Sequence, residues 1–352
     1  MAYTTINKST DHFNTKLYTG NGSTNAITGV GFQPDWCWLK SRNAGYDHSL
    51  YDAVRGATKG LATNNSESEQ TVATKLTAFN SDGFTLGNNA GTNNNTTTYA
   101  SWNWKANGQG SSNTSGSINT LYTSANTVSG FSISTYTGVG DVGSRTFGHG
   151  LTKAPEIVMI KNLSANENWV VGSNYTHPTL PWKYKLSLDN NGARAESGAY
   201  FADTAPTNSL VTIEGNAGVN GSGNTLVAYC FHSVSGFSKM GSYTGNGNAN
   251  GAFIYTGFKP AFVMIKRYDS GTLDWNIYDS KRPAFNETNK PLWANTSDTQ
   301  ANVGTHGIDL LSNGFKIKTS NDQLANNGGT FLYMCFAEAP LVGSNNVPAT
   351  AR

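Results

Sequence analysis

"TYTGVGDVGSRTFGHGLTKAPEIVMIK" (135–161) admits two readings with different folds. Its "GVGDVG" (138–143) fits the G-x-G-x-x-G pattern of a pyrophosphate cradle and follows the strand-like run "FSISTYT". That chemistry needs a helix opening directly after the last glycine, whose amides hold the anion, and an acidic residue about 20 positions on. No helical period follows; the chain continues "SRTFGHGLTKAPEIVMIKN". Two other stretches decide the matter, "LYTGNGSTNAITGVGFQPDWCWLK" (17–40) and "SYTGNGNANGAFIYTGFKPAFVMIK" (242–266), because they are the same unit repeated. They fill the slot of GVGDVG with GNGSTN and GNGNAN, neither of which matches the fingerprint. The slot is therefore a turn, where Gly and Asn serve because they tolerate positive φ.

Proline precedes lysine by the same interval in all three units: Pro34 and Lys40, Pro155 and Lys161, Pro260 and Lys266. Each unit closes on an aromatic-rich run, "YASWNW" (99–104), "LVAYCF" (226–231) or "FLYMCF" (331–336). "NSDGFTL" (80–86) matches "LSNGFKI" (311–317), whereas the second unit keeps only "TNSLVTI" (207–213) and has drifted. The repeat length is a domain length and not a solenoid length. Runs such as "PAFVMIK" are almost continuously apolar, and turn signals recur roughly every 8–12 residues, the spacing of sandwiches and jelly rolls. The expected fold is all-β: three tandem antiparallel β-sandwich domains of jelly-roll or concanavalin A-like type. The expected boundaries are 1–106, 130–235 and 236–339 for the repeats, a flexible or surface-hugging Gly/Ser/Asn-rich linker at 107–129, and a tail at 340–352. Units two and three share no such spacer, which points to a rigid pair.

Charged residues are only 13% of the chain and the formal charge is +2, with lysines and arginines scattered along it and no basic stripe. That distribution excludes nucleic acid as the expected partner. No run approaches 18 apolar residues and the start, "MAYTTINKSTDHF", lacks the form of a secretory signal, so neither membrane insertion nor export is expected and synthesis is placed in the cytosol. Cys37, Cys230 and Cys335 each sit inside an apolar run and read as small buried hydrophobes. The six histidines stand singly, so no metal site and no cofactor are expected. His48 takes the position that Trp169 and Trp275 hold in the other units, which argues for packing.

No G-x-S-x-G elbow occurs and the glutamates are dispersed, so no catalytic residue is assigned and the protein is read as a non-enzyme. "LYDAVRG" (50–56) and "IYDSKRP" (277–283) place Asp52 with Arg55 and Asp279 with Arg282. These read as ion pairs fixing a loop to a sandwich edge. Sugar binding would need exposed aromatic faces, and the candidates are Trp182 and Tyr184 in "HPTLPWKYK" (177–185) and Trp293 in "KPLWANT" (290–296). Capping of its own sandwich is the favoured role of the Trp182 loop, with outward presentation of Trp182 and Tyr184 the alternative.

Taken together, "MAYTTINKSTDHFNTKLYTGNGSTN", "GVGFQPDWCWLK", "LYDAVRGATKGL", "GSYTGNGNANGAFIYTGFKPAFVMIK", "LLSNGFKI" and "YMCFAEAPLVGSNNVPATAR" resemble a family of virion proteins of marine tailed phages, tail-fibre-like or structural. The resemblance spans essentially the whole chain and is weakest in the second unit. It implies lectin-like sandwiches in tandem on the exterior of a particle, bound to other virion proteins. It implies adhesion to a host surface glycan first, capsid or tail decoration second and glycan degradation third. A homo-oligomer is expected, with a trimer among the open states, and three similar units can also imitate a trimer within one chain.

Overall fold

The three proline-to-lysine runs become the strands Trp36–Ser41, Ile157–Asn162 and Phe258–Arg267. They appear in a computed structural model that describes residues 3–140, 143–283 and 285–342. The fold is all-β and antiparallel. In each repeat the opening strand lies at one side of a main sheet, followed by the closing strand, the proline–lysine strand and the strand after it. In the first repeat this order is Phe13–Thr19, Thr98–Trp104, Trp36–Ser41, Ser49–Asp52. In the second it is Phe131–Thr137, Thr225–Phe231, Ile157–Asn162, Val170–Ser173. The third runs Ser238–Thr244, Thr330–Pro340, Phe258–Arg267, Asn276–Asp279. Pro260 sits where the register of the third sheet shifts, a position at which a strand tolerates a missing N–H.

A small sheet accompanies each main sheet. In the first and third repeats it holds three strands, with the hairpins Leu76–Asn80/Gly83–Leu86 and Ile308–Leu311/Gly314–Ile317. A Cβ at Gly83 or Gly314 would lie 2.0 or 2.1 Å from the carbonyl of Ile27 or Ile254, so only glycine fits these turns. The drifted second repeat keeps two strands, Arg145–Gly148 and Leu210–Ile213. The opening turn of that repeat leads from strand to strand, with Gly140 at φ +67 and no helix after it; Asp141 and Val142 lie outside the described residues.

The apolar runs are explained by burial on both faces. Cys37 and Leu39 pack toward the small sheet with Ile27, Leu76, Phe84 and Leu86, while Trp36 and Trp38 point the other way into a core shared by all three repeats. Trp104, Phe231 and Phe336 hold equivalent places at the ends of the closing strands, and they converge there. Trp104 and Phe336 lie 5.5 Å apart between ring centres, Phe231 and Phe336 6.1 Å, and Trp36 bridges to Phe231 at 5.7 Å. The inner cover of each main sheet is thus the other two repeats, and the first repeat shares that core with the second and third.

The segment at 107–129 is attached along the second repeat. Thr120–Asn126 adds an edge strand beside Phe131–Thr137, and Ile118 bridges to Phe147. Its Ser and Thr side chains mimic ladder partners, as Asn107 N–H donates to Ser124 Oγ at 2.8 Å and Asn113 N–H to Thr120 Oγ1 at 2.7 Å. At the far end, Pro340 still belongs to the closing strand, and residues 343–352 of the expected tail lie outside the described residues.

Candidate functional site: the junctions between repeats

Lys40, Lys161 and Lys266 end the inner face of their strands, and each ammonium reaches across a junction. Lys40 donates to Tyr46 O in its own loop and to Ser297 O of the third repeat, at 2.7 and 2.9 Å. Lys161 does the same with Glu167 O and with Ser66 O of the first repeat, and Lys266 with Leu273 O and Asn191 O of the second. Burial pushes all three ammonium groups down to about 8.

The next position follows the same ring. Trp169 Nε1–H donates to Ala62 O of the first repeat at 2.8 Å and Trp275 Nε1–H to Ser187 O of the second at 2.9 Å. His48 supplies the equivalent bond to Trp293 O of the third repeat at 2.9 Å. Its tautomer follows from its other neighbour: Trp38 Nε1–H donates to Nδ1 at 2.7 Å, which leaves the proton on Nε2. Burial holds the His48 ring far below its usual pKa, in keeping with that neutral form. Backbone bonds complete the pattern, from Glu69 N to Leu163 O, Arg194 N to Tyr268 O and Gln300 N to Arg42 O. First repeat reaches to third, second to first and third to second. Three heterologous contacts close a ring within one chain.

Asp52–Arg55 and Asp279–Arg282 are paired at 2.6 Å each and shielded from solvent. Each aspartate accepts a further bond from the neighbouring repeat: Tyr229 O–H to Asp52 at 2.6 Å and Trp102 Nε1–H to Asp279 at 3.0 Å. Sequence reasoning missed the junction role of these pairs and of the three lysines. The signal was present in a lysine that ends an apolar strand in the same place three times.

Trp182 does not face outward. It is 2% exposed, donates to Asn174 Oδ1 and packs edge-on to Phe201, because the Pro181–Lys183 turn folds back over its own repeat. Tyr184 is half-buried, donates to Glu196, stacks on His177 and lies under Arg194. Trp293 is half-buried in the first–third junction, with its indole bonded to Asn276 Oδ1 and its carbonyl to His48. The three are not brought together. Cys37, Cys230 and Cys335 are free and buried, and burial raises their thiol pKa values.

The second–third junction departs from the pattern. Ser173 and Thr176 stand where the others have Asp and Arg, and Met334 stands where they have Trp102 and Tyr229. An open cleft of about 490 Å³ lies at its mouth, between Glu156, Tyr175 and Ser233 of the second repeat and Lys239, Met240 and Tyr255 of the third.

Residues 8–340 match the family described as a domain of unknown function (DUF7483). The chain belongs to that family. No curated protein and no solved structure matches this DUF7483 chain. Among its described residues no group of three or more His, Cys, Asp or Glu could hold a metal ion, and no helix is long and apolar enough to cross a membrane.

Proposed function

We propose that the chain is a non-enzymatic structural protein on the exterior of a tailed-phage virion, a tail-fibre-like adhesin for a host surface glycan. We read its repeats as three tandem sandwich domains of the jelly-roll or concanavalin A-like type. The observation that carries this reading is the closed ring of junctions. Buried lysines, buried Asp–Arg pairs and His48 all serve to lock repeat to repeat, and the chain spends its strongest chemistry on rigidity. The outer surface is rich in Asn, Ser, Thr and Gly with scattered tyrosines, a composition suited to hydroxyl-rich ligands. The resemblance at both ends of the chain supports a place on a particle.

Decoration of a capsid or tail is the second reading, and the approximate threefold repeat of contacts favours it, because such a body matches a threefold position in a symmetric lattice. Immunogold labelling of intact particles with antibody against the purified chain separates the readings. Label at the tip of a tail appendage, with loss of adsorption to cells, supports adhesion. Label spread over the capsid or tail supports decoration. Intact and disrupted particles that both remain unlabelled contradict both.

A further inference from the structure

The cleft at the second–third junction lies where the threefold pattern has been cut back, and we infer that it is a saccharide-binding site for a neutral glycan chain. This rests on the adhesin reading and gives it a location. The truncations fall on one junction only. Asp and Arg become Ser173 and Thr176, and the Trp or Tyr donor becomes Met334. The ladder also sets Ser238 opposite Phe336, where Phe13 and Phe131 stand opposite Trp104 and Phe231. The missing ring has slipped back one residue to Phe237, which packs on Phe336 and His12 instead. Ser238, small where the other two repeats carry Phe13 and Phe131, lines the cleft, whose volume of about 490 Å³ falls within the range of small-ligand sites.

The walls carry the chemistry a sugar requires. Tyr3, Tyr175 and Tyr255 come from three separate segments, and Tyr255 is 50% exposed. Tyr3 is fixed by its own bonds, O–H to Gly257 O at 2.9 Å and its carbonyl to Ser235 Oγ at 2.9 Å, so the N-terminal arm is a set wall of the cleft. Glu156 is held by Ser233, whose N–H and hydroxyl both donate to Oε2. Lys239 has no ion-pair partner among the described residues. One carboxylate acceptor and one ammonium donor with no net charge, flanked by aromatic faces and serine hydroxyls, select a polyol without charge over an anionic or cationic ligand. A lone carboxylate also lacks the partner that glycoside hydrolysis needs, so the site holds a sugar without cleaving it.

Methionine-methyl NMR on the full chain reads this site directly, because Met240 lines the cleft while Met159, Met264 and Met334 line a separate apolar gap. The probes are maltotriose, cellotriose and triacetylchitotriose, with trigalacturonate as the charged comparison. The expected result is a saturable shift of the Met240 methyl with at least one neutral trisaccharide and none with trigalacturonate. Tyr255→Ala weakens that binding roughly tenfold, and Tyr122→Ala, at an exposed tyrosine on the edge strand of the second repeat, leaves it unchanged. A Met240 methyl that none of the neutral probes moves, a response to trigalacturonate alone, or a shift undiminished by Tyr255→Ala overturns the site. Absence of binding by a chain that immunogold places on the particle exterior sinks the site alone. Binding by a chain absent from particles sinks the virion reading and leaves the site standing.

Discussion

Trp102 Nε1–H donates to Oδ2 of Asp279 at 3.0 Å, so a side chain of the first repeat completes the buried ion pair of the third. Asp279 is held by Arg282 on its own strand end and by Trp102 across the junction, and neither neighbour has water to replace the other. Asp279→Ala leaves Arg282 charged and buried, and the expected loss is about 3–5 kcal/mol. Trp102→Phe keeps most of the ring and removes one bond to a charged group, an expected loss of about 1.5–3 kcal/mol. Urea denaturation of the two single variants and the double variant checks both values, and the double is expected to cost less than their sum.

Trp38 with His48 stands where the other repeats have Met159 with Trp169 and Met264 with Trp275. In every repeat the second residue donates across the junction, and only in the first does it also accept, from Trp38. His48→Trp alone strands the Trp38 N–H, and Trp38→Met alone leaves Nδ1 of His48 without its donor. The pair Trp38→Met with His48→Trp recreates the arrangement of the other repeats. It is expected to be more stable than the sum of the single variants by at least ~1 kcal/mol in a double-mutant cycle.

Each junction lysine satisfies two buried carbonyls, one on either side of the junction. Lys40→Met, Lys161→Met and Lys266→Met each leave those carbonyls unpaired, and the expected loss is about 2–4 kcal/mol for each. The three losses are expected to be alike, because the geometry is repeated. Chemical denaturation of the three variants side by side tests this.

His48 and His149 are buried in the neutral form, with His149 pushed down to about 4 and His48 far below its usual value, in both cases chiefly by desolvation. The unfolded chain takes up protons at these sites below about pH 6.5 while the folded chain does not. Stability therefore falls as the pH is lowered from 6.5, by about 1.4 kcal/mol per pH unit for each histidine. Asp35 and Asp189, whose pKa values burial raises, oppose the trend only within the carboxylate range. Urea midpoints at pH 7 and pH 5 read the slope, and His149→Gln is expected to flatten it by one histidine's share.

The repeat, the antiparallel all-β class and the strand rather than helix that follows GVGDVG were legible because Pro34/Lys40, Pro155/Lys161 and Pro260/Lys266 fix a register that any one copy leaves ambiguous. The drift of the second repeat was equally legible, since "TNSLVTI" lacks the Asp-Gly or Asn-Gly turn that Gly83 and Gly314 show to be a steric necessity. What the sequence concealed was the inner face. An apolar strand reads the same whether its second side is covered by its own sandwich or by a neighbour, so Trp36 and Trp38 gave no hint that they meet Tyr229 and Trp102 across and within repeats. Asp52–Arg55 looked like a loop tie for the same reason, because its third member, Tyr229, lies 177 residues away. Trp182 caps its own repeat, the favoured of its two readings. Its prolines stiffen the loop, and the turn they set points the indole inward.

The three repeats are locked by the same ring of bonds and are expected to unfold as one cooperative body, because a single repeat alone would expose the inner faces of Trp36, Trp102 and Trp104. Differential scanning calorimetry of the whole chain tests it most directly. One transition with equal calorimetric and van't Hoff enthalpies is the predicted result. Two or three resolved transitions, each with the enthalpy of a single repeat, would contradict it.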